Sequence, residues 1–192
     1  MGVIATDEGE TEAAPALFEQ ALALRAPDDH HGRALALHNL ARLASRREDG
    51  EASRRLYEES LAERKAAGDV RGAAETFGNL GVVAYKQGQF DEARRLYEES
   101  LRLNQALGDP VGVALMCHNL GEIAEQDGDA AAAVRLFFHA EHIFRKLQSA
   151  YAAAPAEALA RLTAAMGAEA FTEARREAEQ THIEDIYPPC NQ

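Results

Sequence analysis

Residues 71–110 read RGAAETFGNLGVVAYKQGQFDEARRLYEESLRLNQALGDP. Phe77, Leu80, Gly81 and Ala84 share one helical face. Ala93, Leu96, Tyr97, Ser100 and Leu101 share the next, because side chains three and four apart lie above one another on a helix. Gln87-Gly88-Gln89 interrupts the two patterns and Gly108-Asp109-Pro110 ends them, since glycine readily takes the left-handed conformation that closes a helix. The stretch predicts a helical hairpin, helix A then helix B.

The same stretch recurs at a fixed spacing. Forty residues upstream, from Arg33, the chain reads RALALHNLARLASRREDGEASRRLYEESLAERKAAGDV. Forty residues downstream, from Val111, it reads VGVALMCHNLGEIAEQDGDAAAAVRLFFHAEHIF. The octapeptide RRLYEESL stands unchanged at Arg54–Leu61 and Arg94–Leu101, and Asn-Leu recurs at 39–40, 79–80 and 119–120. Self-similarity at such a period is the mark of an array in which each unit buries its apolar face against the next. Gly81, Gly121, Ala93 and Ala133 are small where two helix backbones are expected to approach.

The signature aromatic-x-x-Leu-Gly followed by Ala-x-x-x-aromatic, here Phe77, Leu80-Gly81, Ala93 and Tyr97, resembles the tetratricopeptide repeat family. The third unit repeats it with Leu120-Gly121, Ala133 and Phe137, and has Cys117 in the first aromatic place. The unit at 33–70 is looser: Leu37, Leu40-Ala41, Ser53 and Tyr57, with Glu48 where the turn glycine belongs. The forty-residue period, longer than the usual ~34, is similar to the kinesin-light-chain-like and bacterial-regulator variants of the family. The resemblance implies an all-α fold, a right-handed α-solenoid of antiparallel helix hairpins.

The expected organisation is a partial N-terminal repeat at 1–30, repeats at 31–70, 71–110 and 111–150, a capping hairpin at 151–180 and a loose tail at 181–192. Residues 2–25 align with Gly81–Asn104, so the sequence opens inside a helix A. That unfinished end is expected to favour self-association, a possible homo-oligomer. Pro155 suits a first helical turn; Leu159, Leu162 and Met166 continue helix A, and Gly167 breaks it before a helix B at Phe171–Gln180.

Composition narrows the function. A net charge of −12 disfavours nucleic acid, which calls for clustered Lys and Arg. No apolar run is long enough to span a membrane, and the acidic opening residues are not expected to act as a secretory leader. Cys117 and Cys190 are expected as reduced thiols, which together with the leader argument gives an expected cytoplasmic location. His139 and His142 lie one turn apart but lack a third ligand, and His30-His31 falls in a turn, so no metal and no cofactor are expected. Neither a phosphate-binding G-x-x-x-x-G-K-[ST] loop nor a G-x-S-x-G elbow occurs, and no enzyme activity is expected.

What the resemblance implies instead is a protein-interaction scaffold whose inner, helix-A face lines a groove for a peptide or protein segment. Carried over by position, that face comprises Leu35, His38, Asn39, Arg42 and Arg46; Glu75, Asn79, Val82, Tyr85 and Lys86; and Leu115, His118, Asn119, Glu122 and Glu125. Three equivalent amides, Asn39, Asn79 and Asn119, could each donate to and accept from a peptide backbone. Charge runs from Arg42 and Arg46 to Glu122 and Glu125, and acidic ligand residues are expected toward the arginines. An alternative is a sensor or regulatory piece of a larger NTPase-type transcriptional regulator, because the closing segment Met166–Phe171 resembles the end of the arrays in such proteins. On the opposite faces, Glu51–Arg55, Asp91–Arg95 and Glu98–Arg102 are spaced for helical ion pairs.

Overall fold

A computed structural model of the chain describes residue 20 and residues 22–183, and among these all regular structure is helical. The partial repeat expected at the N-terminus falls largely outside the described residues, as do most of the tail and Cys190. Eight α-helices are bounded: α1 His30–Arg46, α2 Gly50–Ala66, α3 Val70–Lys86, α4 Phe90–Ala106, α5 Pro110–Gln126, α6 Ala130–Lys146, α7 Ala153–Met166 and α8 Ala168–Gln180. The first six each have seventeen residues and begin twenty residues apart. A short 3-10 turn at Ala150–Ala152 precedes α7.

That regularity has a local cause. The second residue of each three-residue turn is left-handed: Glu48 (φ 60°), Gly68 (67°), Gly88 (73°), Gly108 (63°), Gly128 (78°) and Gln148 (53°). The residue after it donates its N–H to a carbonyl five positions back, as Asp49 to Ala44, Asp69 to Arg64 and Asp129 to Ala124, which closes the helix in a Schellman turn. That same residue then caps the next helix. Asp29, Asp49, Asp69, Asp109 and Asp129 accept from the N–H of Gly32, Ala52, Gly72, Gly112 and Ala132, satisfying donors that a helix start leaves bare. Glu48, which had looked like a lost glycine, takes the glycine conformation all the same. Such a residue costs roughly 1–2 kcal/mol with a side chain attached.

The described helices form two compact units, one ending at Gln89 and the other beginning at Phe90. In the first, α1 packs on α2 through Leu37, Leu40, Ala41 and Tyr57, all buried. Ser53 and Ser60 are fully buried in this contact, and their hydroxyls donate to the carbonyls of Ala41 and Ala34 at 3.1 and 2.8 Å. Small side chains let the helices close up, and the buried hydroxyls find acceptors as burial requires. α3 adds Ala74, Leu80, Val83 and Ala84. In the second unit Tyr97, Leu101, Leu120, Ile123, Phe137, Phe144 and Leu162 form the core. Gly121 admits the Phe137 ring so closely that a Cβ there would lie 2.8 Å from it, as its position in the repeat predicts. Pro155 is fully buried in the first turn of α7, and Gly167 (φ 83°) joins α7 to α8.

Two expectations change. Leu96, placed in the core by its periodicity, is only half-buried, as is Phe77, which carries the Lys65 ammonium 5.2 Å above its ring. The ion pairs also regroup. Arg102 meets Glu99 at 2.8 Å and Arg55 meets Glu59. Arg54 reaches Gln87 and Gln89, and Arg94, at the equivalent place, reaches Asp127. A guanidinium at the start of helix B thus reaches the turn after the following helix A, a contact that single-helix spacing rules do not contain.

Glu48→Gly should raise the stability of the chain by about 0.5–1 kcal/mol, whereas Gly88→Ala should lower it by about 1 kcal/mol. Leu101→Ala should cost about 2–5 kcal/mol, and Leu96→Ala only about 1–2 kcal/mol because less of it is out of water. Urea titrations of the four variants check both contrasts.

Candidate functional site

Residues 35, 38, 39, 42 and 46 recur at three and four along α1, so one stripe of the helix carries them all. Within that stripe their surroundings differ sharply. Leu35 is 51% exposed while His38, one turn on, is 3% exposed. The His38 ring is turned into the junction of α1, α2 and α3, edge-on to the Tyr57 ring with centroids 5.4 Å apart. Its Nε2 lies 3.3 Å from Glu75 Oε1 on α3, and its Nδ1 is buried without a hydrogen-bond partner among the described residues.

Glu75 joins two buried side chains, those of His38 and Arg64. Its Oε2 is 3.6 Å from Arg64 Nη2, and Arg64 Nη1 is 3.3 Å from Asp69. The Arg64 side chain is 7% exposed and that of Glu75 is 58% exposed. Arg64 fits because residue 72 is glycine: a Cβ there would collide with the guanidinium. Gly112 gives the same room to Asn104. The hydrogen bond with His38, followed by the charges of His38, Arg64 and Arg42, holds the Glu75 carboxyl below its ordinary value. Burial pushes the Tyr57 hydroxyl up to about 12. Arg64 and Gly72 were not among the sequence candidates; the recurrence of Gly32, Gly72 and Gly112 at forty residues was the available signal.

The rest of the stripe faces water. Asn39 donates from Nδ2 to the Leu35 carbonyl at 3.0 Å within its own helix, which leaves its Oδ1 and second N–H available. Arg42 and Arg46 are exposed and, with Asn39 and Leu43, border a shallow recess of about 150 Å³. On α3, Asn79, Val82 and Tyr85 are half-buried and Lys86 is exposed. Lys86 and Val83 line a cleft of about 320 Å³ with Ser45, Glu48, Gly50 and Gln87.

The second unit presents its five candidates differently. Leu115 is 37% exposed. His118 leans on Phe137 at 5.3 Å between centroids, with Nε2 3.8 Å from Glu122; burial holds its pKa below that of a free imidazole. Asn119 is half-buried. Glu125 is paired with Arg161 of α7 at 3.1 Å, a partner the sequence did not suggest. His139 and His142 flank Phe138, His142 stacked on it, and the described residues hold no cluster of three or more His, Cys, Asp or Glu placed for a metal ion. No described helix is long and apolar enough to cross a membrane.

Comparison with known proteins agrees with the helical-repeat fold. Two family models, both described as Tetratricopeptide repeat, match residues 72–146 and residues 33–67. No match was found among curated protein sequences. Among solved structures, BtubC (BKLC) from P. vanneervenii superposes with a TM-score of 0.75 at 22% identity, covering 97% of this chain and 79% of that one. The nearly identical TPR-like repeats of a kinesin-light-chain-like protein of Podosopora anserina superpose with a TM-score of 0.66 at 20% identity, over 90% of this chain and 89% of that one. These likenesses make the fold an all-α helical-repeat solenoid.

A carboxyl whose folded pKa is depressed stabilises the folded state above its ordinary value, 4.5 here; that contribution is lost as pH falls through the lower folded value. Glu75→Gln should therefore melt below the parent chain at neutral pH, and the gap should close as pH is lowered below 4.5. Thermal melts across that range check it.

Proposed function

Because the chain belongs to the tetratricopeptide-repeat family, we propose that it is a non-catalytic scaffold that holds a peptide or protein segment along the helix-A faces of its repeats. The family's repeats support protein–protein interaction as the general function. The specific face is our own assignment. The observation that carries it is the set of side chains that packing leaves unused on those faces. Leu35 and Leu115 keep exposed apolar surface, Arg42, Arg46 and Lys86 stand in water, and Asn39 satisfies only one of its donors internally. Apolar contact, charge and amide hydrogen bonding are what an extended segment asks of a groove.

In each unit by itself, Asn39 and Asn79 in the first and Asn119 in the second would read a segment's backbone, and the exposed leucines its apolar residues. Peptides selected from a random displayed library against the whole chain provide the test. Replacing the three asparagines together by alanine should weaken the selected peptides by about tenfold or more, since each hydrogen bond contributes about 0.5–1.5 kcal/mol. Helix content by circular dichroism should stay unchanged, because Asn39 bonds only within its own helix. Selected peptides that bind the triple variant as tightly as the parent would refute the assignment.

A further inference from the structure

We propose that His118 is an acid-operated catch in the second unit: the neutral ring closes over Phe137 and holds α5 to α6, and the protonated ring leaves it for water and loosens the pair. The device belongs to the fold of that unit and needs no bound segment. Phe137 of α6 is fully buried. Two residues of α5, three apart and so on one face, touch it. Gly121 meets the ring so closely that a Cβ there would lie 2.8 Å away, and the His118 ring lies against it with centroids 5.3 Å apart. The His118 side chain is 19% exposed, yet its Nδ1 is buried and has no hydrogen-bond partner among the described residues. A neutral imidazole can leave one nitrogen bare, whereas an imidazolium carries a proton on both. A charged donor buried without an acceptor is the costlier of the two. An imidazolium gains some attraction from an aromatic face, but less than that burial takes away.

The charges around the ring do not hold it in place once it is protonated. Glu122, on the same helix, lies 3.8 Å from Nε2, beyond hydrogen-bond length, and favours the charged form. Arg161 of α7 opposes it and is itself paired with Glu125. Among the described residues no charge from α4 or α6 acts on the ring. Burial outweighs Glu122, and the ring takes up a proton less readily in the fold than in water. His38, forty residues earlier, shows what is missing. Its Nδ1 is buried and bare in the same way, but Glu75 meets its Nε2 at 3.3 Å from a second helix, α3. Thirty-seven residues after His118, where Glu75 stands after His38, the chain has Pro155, whose side chain accepts no hydrogen bond. A histidine that binds its proton more weakly folded than unfolded stabilises the fold fully above the unfolded value, 6.5 here. That contribution is lost as pH falls through 6.5 toward the folded value. The Glu63 and Glu75 carboxyls, held below 4.5, stay charged over this interval.

The test follows His118 in the full chain. Its imidazole NMR signal, identified as the one that His118→Gln removes, should titrate with a midpoint below 6.5. Between pH 7.5 and pH 5 the melting temperature of the parent should fall further than that of His118→Gln, whose amide is polar near the place of Nε2 but takes up no proton. Amide hydrogen exchange, corrected for its intrinsic pH dependence, should quicken several-fold in α5 and α6 of the parent over the same interval and not in the variant. Helices α1 and α2 serve as the reference. A midpoint at or above 6.5, melting temperatures of parent and variant that fall in parallel, or exchange that quickens equally in α1 and α2 overturns the inference. Should His118→Gln fail to fold, the parent's own titration and exchange decide the matter.

Discussion

The constraint on which this molecule depends is that each of its first six helices must reverse after the same number of residues. A left-handed residue ends the helix, and the next residue both closes the old backbone and, in most turns, caps the new one. Orphan donors and acceptors at both ends are thereby met inside three residues. Residues forty apart then occupy equivalent positions along their own helices. That is why Arg54 and Arg94, in separate compact units, each reach a turn thirty-three residues on. Neither contact needs a special sequence beyond the repeat, since the spacing alone delivers the partner.

Paired helices approach most closely where the side chains between them are small. Individual repeats meet that demand with different chemistry. Between α1 and α2 it is met by serines whose hydroxyls are returned to the backbone; at the equivalent places of α6 stand Ala133 and Ala140, fully buried with no polar atom to satisfy. The junction above follows suit. His38, Tyr57 and Arg64 add polar groups to the first unit's largely apolar interior, held by Glu75 and Asp69. His118, Phe137 and Phe144 make the second unit's interior aromatic. A buried ionic group is weak evidence for stability.

Much of the fold could be read directly from the residues, because a forty-residue echo with a glycine break in mid-period admits few architectures. Glu48 shows where local signals mislead: the turn geometry is imposed by the helices on either side, so a residue with poor left-handed propensity still adopts it. Leu96 shows the limit of periodicity, which places a residue on a face but does not say how far a neighbour covers it. The surface stripe of α1 was equally visible, since it follows from helical spacing alone. The burial of His38 and the pairing of Glu125 with Arg161 were not. Both depend on a residue from another repeat, at an offset the internal alignment does not report.

Gly72 and Gly112 keep an open slot opposite the next-to-last turn of each helix B, and the slot is filled in turn by a guanidinium from Arg64 and an amide from Asn104. At the corresponding place of α6 stands an aromatic ring, Phe144, fully buried. Because the backbone has given up its own side chain there, the filler can change from cation to amide without moving a helix. An array built this way can diversify what it is made of, one repeat at a time, while its architecture stands still.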